Sequence, residues 1–179
     1  MIYKFITDQN LDLGMKIYFR NQIIETNTHI LTTSEGAALS MIKAKLSGRY
    51  DLKKLFPEIK PWVVTVLYKK DQYCFKSDKI YKALQDGTGN DPATQVLFWK
   101  EDDPRDDLLV VFCVDITIYT MCKPLPAIKT PNDLVDAYMA AMQWLEDCQK
   151  GLENPDWPVL EDGSSKIFWG SNEKLDHYY

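Results

Sequence analysis

The sequence predicts a mainly α protein: a helical bundle with a small inserted β subdomain and an extended C-terminal tail. Three observations carry that prediction. Residues 130–151 hold an apolar stripe at three- and four-residue steps. Residues 108–122 form an almost unbroken apolar run bounded by acids and prolines. Between Trp62 and Lys100 the texture switches to β-branched and aromatic residues broken by a dense turn cluster.

At 179 residues the chain can bury one good core, with 45% apolar and 26% charged residues arguing against disorder as its main theme. The formal net charge of -5 excludes a protein held to nucleic acid chiefly by phosphate contacts. No basic stretch followed by an apolar segment opens the chain, so no signal peptide is expected. The longest apolar run falls short of the ~20 residues that span a bilayer and contains Asp115, so no membrane association is expected. Cys74, Cys113, Cys122 and Cys148 are widely spaced with no C-x-x-C pair, which points to reduced, buried thiols made in a cytoplasm.

Taken in order, residues 7–26 are ambiguous and favour a helix near 15–25. A second helix is expected from "TTSEGAALSMIKAKLSGRY", where Thr32 and Glu35 have capping-box spacing and Leu39, Ile42, Leu46 and Tyr50 make the stripe. "WVVTVLY" and "IYKAL" read as strands, and "QDGTGNDPATQ" as turns closed by "VLFW". A third, buried helix is expected over 105–122, with Pro104 and acids at its start and Pro124 and Pro126 closing it. The last helix begins with Thr130 as cap and Pro131 in its first position, with Asp133 and Asp136 favoured by the helix dipole. Leu134, Tyr138, Met142 (or Ala141), Leu145 and Cys148 make its stripe, and Gly151 stops it. The expected organisation is a helical core in two parts (1–61 and 101–160), the β subdomain (62–100) and a C-terminal tail (161–179).

Candidate chemistry is sparse. Glu101, Asp102, Asp103, Asp106 and Asp107 have neither the alternate spacing nor the glycine of a calcium loop, so a solvated helix start is expected over a metal site or a DNA-repelling surface. Asp115, inside an apolar helix, needs a partner, and a buried pair with Arg49 is expected in preference to a catalytic acid. His29 and His177 fall in no nucleophile or metal motif, and no phosphate-binding loop or nucleophile elbow occurs. The expectation is a protein that is no enzyme and needs no cofactor or metal.

"KIYKALQDGTGNDPATQVLFW" resembles the small chitin- and cellulose-type carbohydrate-binding modules. That resemblance implies sugar stacking on Tyr81 and Trp99, set against their forming the small core of the insert. A wider resemblance covers most of the remaining chain. "LSMIKAKLSGRYDLKKLF", "DDLLVVFCVDITIYTMC", "DAYMAAMQWLEDCQKGLENPDWP" and "FWGSNEKLDHYY", in that order, resemble the Mu-type tailed-phage head–tail connector proteins. The resemblance implies a helical connector bundle that assembles with itself into a ring, twelvefold by that likeness, in the neck of the virion after synthesis in the host cytoplasm. It implies as partners the portal protein, a neighbouring neck or tail ring, and DNA passing through the lumen without sequence-specific binding. The β insert departs from that family, in which a short loop is usual. Tail residues Phe168, Trp169, Asn172, Lys174, Tyr178 and Tyr179 are expected to dock on the portal or an adjacent ring, because aromatic anchors concentrate at interfaces. The alternative function is a carbohydrate-binding accessory or adhesion module acting through the insert.

Overall fold

The computed structural model describes residues 5–26, 29–123 and 131–160. Of these residues 49% are helical and 14% lie in strands, so the predicted mainly α class is corrected to a mixed helix-and-sheet protein. The reason lies in the insert, which is more extensively paired than a small β subdomain implies. It builds a four-stranded mixed sheet and a separate two-stranded one.

Thr7 opens helix α1 (Asp8–Gly14) through a reciprocal cap. Its hydroxyl accepts from Asn10 N at 3.3 Å, and its own N–H donates to Asn10 Oδ1 at 2.9 Å. Gly14 ends the helix against α5 (Asp107–Cys122). A Cβ at Gly14 would stand 2.7 Å from Ile118 Cδ1 and 2.8 Å from Val114 Cγ1, so any larger residue would have to displace these methyl groups. Helix α2 (Ile17–Thr26) falls on most of the expected 15–25 segment, beginning two residues later, and buries Ile23. Helix α3 (Ile30–Leu46) starts before Thr32, so the expected cap is not formed. Glu35 instead turns into the core and accepts from Ile6 N at 3.1 Å. Asp51 caps the single turn α4 (Leu52–Leu55).

Asp106 caps α5 by accepting from Leu109 N at 3.0 Å, one residue inside the expected start. Helix α6 (Asn132–Lys150) begins after Pro131; the proposed cap Thr130 lies outside the described residues. Gly151 stops α6 with φ 78°, a left-handed conformation that favours glycine. Helices α3, α5 and α6 pack on one another around Leu46, Ile42, Leu109, Cys113, Ile116, Met121 and Leu145, all essentially inaccessible. Burial of this kind is worth roughly 1.5–3 kcal/mol per large aliphatic side chain, which is why α5 is apolar on nearly every side.

The insert is held in β1 (Lys60–Pro61), β2 (Leu67–Tyr68), β3 (Tyr73–Lys76), β4 (Lys79–Ala83), β5 (Gly87–Thr88) and β6 (Trp99–Glu101). The larger sheet runs β1-β3-β4-β6, with β1 parallel to β3 and the other pairs antiparallel. Ser77 and Asp78 link β3 to β4 with φ of 51° and 61°, the two-residue turn whose twist suits a hairpin. "WVVTVLY" contributes only its last two residues to a strand, paired with β5. Residues 63–66 turn back on themselves through Val66 N to Val63 O at 3.2 Å. The valine-rich composition was the misleading signal, since these valines face solvent and pack little.

After α6 the chain turns back onto its own bundle. Asp51 N donates to Pro158 O at 2.8 Å, Leu160 N donates to Arg49 O at 3.0 Å, and Trp157 is buried between Tyr50 and Trp144.

Candidate functional site

The residues expected to carry function fall into four places. The first pairing fails. Arg49 donates to the Cys148 carbonyl at 3.1 Å and to Asn154, and its guanidinium lies over Tyr50. It therefore satisfies a carbonyl at the end of α6, where the helix dipole favours a cation. None of the hydrogen bonds or ion pairs among the described residues joins it to Asp115. The expectation of a buried Arg49–Asp115 pair is corrected: both are only partly buried, and Arg49 is taken up by the end of α6.

Asp115 is half-buried on the far side of α5 and lines a cavity of about 360 Å³ with Asn10, Gly14, Asp107 and Val111, over a floor of Val110 and Val114. Loss of water pushes its carboxyl above the ordinary aspartate range. A second cavity of about 450 Å³ shares Gly14 and continues over Met15 and Tyr18 to Asp133 and Leu134 at the start of α6. Gly14 thus lines both cavities.

The expected sugar-stacking rings are also corrected. Tyr81 is 8% and Trp99 5% exposed, and together with Tyr68, Cys74 and Ala83 they are the core of the insert. Trp99 donates its indole N–H to Asn90 O at 2.9 Å, and Tyr68 meets its ring edge-on at 5.1 Å. A stacking platform must offer one face to solvent, and neither ring does. A sheet this small has no other large side chains with which to close itself.

Four of the five acids at the start of α5 are engaged in structural contacts, while the fifth, Asp107, is exposed at the edge of the cavity that Asp115 lines. Glu101 pairs with Lys79, Asp102 accepts from Tyr73 and faces Lys100, and Asp103 holds Arg105. Asp106 divides its two oxygens between the α5 cap and Trp157. The predicted tail contacts Phe168, Trp169, Asn172, Lys174, Tyr178 and Tyr179 lie outside the described residues.

What the sequence reading missed is the outer surface of the insert. Val63, Val64, Val66, Leu67, Leu84, Val96 and Leu97 are all exposed, with Val96 at 75% and Leu97 at 79%. The segments that carry them are linked by backbone pairing: Leu67 pairs with Thr88, Gly87 lies against Phe98, and Leu84 N donates to Phe98 O. Exposed apolar side chains in this number on one small subdomain point to an interaction surface. The available signal was the apolar run 62–68 followed directly by Lys69 and Lys70, which suits a loop tip better than a buried strand.

Among the described residues, no helix is long and apolar enough to cross a membrane, and no group of histidine, cysteine, aspartate and glutamate side chains is placed to hold a metal ion. No known protein family matches the sequence, and no characterised protein or solved structure matches it at a significant level.

Proposed function

We propose that this chain is a structural subunit of a tailed-phage head–tail connector. In this reading copies form a closed ring between portal and tail, in the virion neck, through which DNA passes during packaging and ejection. The observation that carries it is the pairing of two unlike surfaces on one small chain. One is the apolar outer face of the insert, and the other is the acid-bearing depression across α1 and α5. A ring built by rotation needs two such surfaces on every subunit, one for each neighbour. The ordered likeness of four sequence stretches to Mu-type connectors supports the same reading, and so does the net charge of -5, because a basic lumen would hold DNA back. The partners are further copies of this chain, the portal and an adjacent neck or tail ring. Residues Phe168, Trp169, Asn172, Lys174, Tyr178 and Tyr179 are proposed to contact the portal or that adjacent ring.

Electron microscopy of the purified protein tests this directly. Closed rings with an open centre, twelvefold by the family likeness, are the expected result. A protein that stays monomeric at every attainable concentration, with and without a portal, would overturn it.

A further inference from the structure

We propose that the subunits join head to tail, with loop 63–70 of the insert of one copy seated in the α1–α5 depression of the next. The inference rests on the ring reading for its expectation of self-association and adds to it the two surfaces that meet.

The loop presents apolar and cationic groups together. Val63, Val64, Val66 and Leu67 are exposed, Leu67 at 57%, and Lys69 and Lys70 follow at the surface. The other lysines of the insert are engaged: Lys76 with Asp91, Lys79 with Glu101, Lys82 with Asp71 and Lys100 with Asp102. Among the described residues neither Lys69 nor Lys70 has an ion-pair partner. Residues 62–100 hold six of the chain's 21 basic residues and four of its 26 acidic ones, so the insert is the basic part of an acidic chain.

The depression is its complement. Its floor of Val110, Val111 and Val114 is apolar, and Val111 is half exposed. Asp107 and Asp115 stand on the same helix about 12 Å apart along its axis, at ~1.5 Å per residue. Among the described residues neither carboxylate has a hydrogen bond or an ion pair, and no basic side chain lines that cavity. At about 360 Å³ it reaches the lower end of ligand-sized clefts, roughly 300–1,000 Å³. Seating Leu67 on the valines would bring the two lysines to the two carboxylates. Asp115 would then have the cation that its half-buried position lacks. Complementary charge around an apolar contact fixes register and selects against the reversed pairing of like surfaces. Because loop and depression are different surfaces, each pair leaves one copy's loop and the other copy's depression free, and growth continues until the ring closes.

Two double variants at exposed positions test the proposal: Asp107→Lys with Val111→Asp in the depression, and Leu67→Asp with Lys70→Glu in the loop. Circular dichroism first checks that both fold as the parent does. In sedimentation velocity each variant alone should associate at least about 100-fold more weakly than the parent. An equimolar mixture should give a dimer and nothing larger, since the pair retains one intact loop and one intact depression. If either variant assembles as the parent does, or if the mixture stays monomeric, the proposal is overturned. Assembly lost only on deleting residues 161–179 would give the contact to that segment and also overturn it. Rings formed by the parent and by both variants would sink this inference and leave the ring reading standing, whereas a monomeric parent would remove both.

Discussion

Trp157 donates its indole N–H to Oδ2 of Asp106 at 2.8 Å, while Oδ1 of the same carboxylate caps α5. One aspartate therefore fixes both the start of the most buried helix and the return of the chain after α6. Trp157 is held edge-on against Tyr50 and Trp144, each at 5.4 Å between ring centres. Trp157→Phe should keep most of the packing and lose about 1–3 kcal/mol, the worth of a hydrogen bond to a charged group. Trp157→Ala should lose about 3–5 kcal/mol. Urea unfolding measures both, and equal losses for the two would show that the hydrogen bond contributes all the stability assigned here to packing.

The same anchorage sets where the chain can be shortened. A protein ending at Leu160 should unfold cooperatively with nearly the parent's midpoint, because Pro158 and Leu160 still hold Asp51 and Arg49 and Trp157 still holds Asp106. One ending at Asp156 should lose several kcal/mol, since it exposes Tyr50 and Trp144. Thermal melts that rank these two truncations the other way would contradict the anchorage.

Arg49 and Gly151 should be coupled. A Cβ at position 151 would lie 2.7 Å from Arg49 Nη1, in addition to the strain of φ 78°. Gly151→Ala should cost about 1–2 kcal/mol from the left-handed backbone alone, and more because of the guanidinium. In the background of Arg49→Ala the extra part should vanish, and a double-mutant cycle reads that difference. Strict additivity would mean that the two side chains do not compete for space.

Asp115 should behave in a way opposite to that of a paired acid. Burial raises its folded value above the 3.8 ordinary for aspartate, so folding favours the protonated form. The associated stability is complete below 3.8 and is lost as pH rises through the folded value, leaving the ionised carboxyl a liability near neutrality. In the unassembled protein, at concentrations below those of association, Asp115→Asn should therefore melt at or above the parent temperature at pH 7, with the gap closing as pH falls toward the ordinary value. A large destabilisation at pH 7 would restore a buried partner for this carboxylate.

Burial pushes the thiols of Cys74 and Cys113 up to about 12 and that of Cys148 up to about 11, and it raises Cys122 as well. Because the thiolate is the reactive form, the native protein at pH 8 should alkylate slowly and the urea-unfolded protein rapidly at all four positions. Mass spectrometry after timed iodoacetamide treatment resolves each site. One cysteine reacting equally fast in both states would mark a local opening.

The helices were the most legible part of the sequence. The stripe Leu134, Tyr138, Leu145, Cys148 with Gly151 behind it states both the face and the stop of α6, and Asp106 begins α5 within a residue or two of its expected place. Local rules suffice there because caps and periodicity are local. Glu35 shows where they fail. Its spacing from Thr32 suited a cap, but the core offered it the N–H of Ile6, far away in sequence. The class was misjudged for a related reason. Strands of two residues such as Lys60–Pro61 and Gly87–Thr88 exist only through partners elsewhere in the chain, and no window of sequence contains both. Arg49 and Asp115 were matched by charge alone, though a carbonyl at a helix end satisfies a guanidinium as well as a carboxylate does. The exposed loop 63–67 was hidden by its own composition, since valines are common in strands whether or not they are buried.

The strand order of the insert has a mechanical consequence. Its first strand, Lys60–Pro61, and its last, Trp99–Glu101, form opposite edges of the four-stranded sheet, about 14 Å apart at ~4.8 Å per strand. The insert is therefore a bracket bolted at two points, with no single hinge on which to swing. A load applied at its tip reaches α4 through one edge and α5 through the other. Torque at the tip is resisted by the width of the sheet, so the insert can serve as a lever on the helices that carry it.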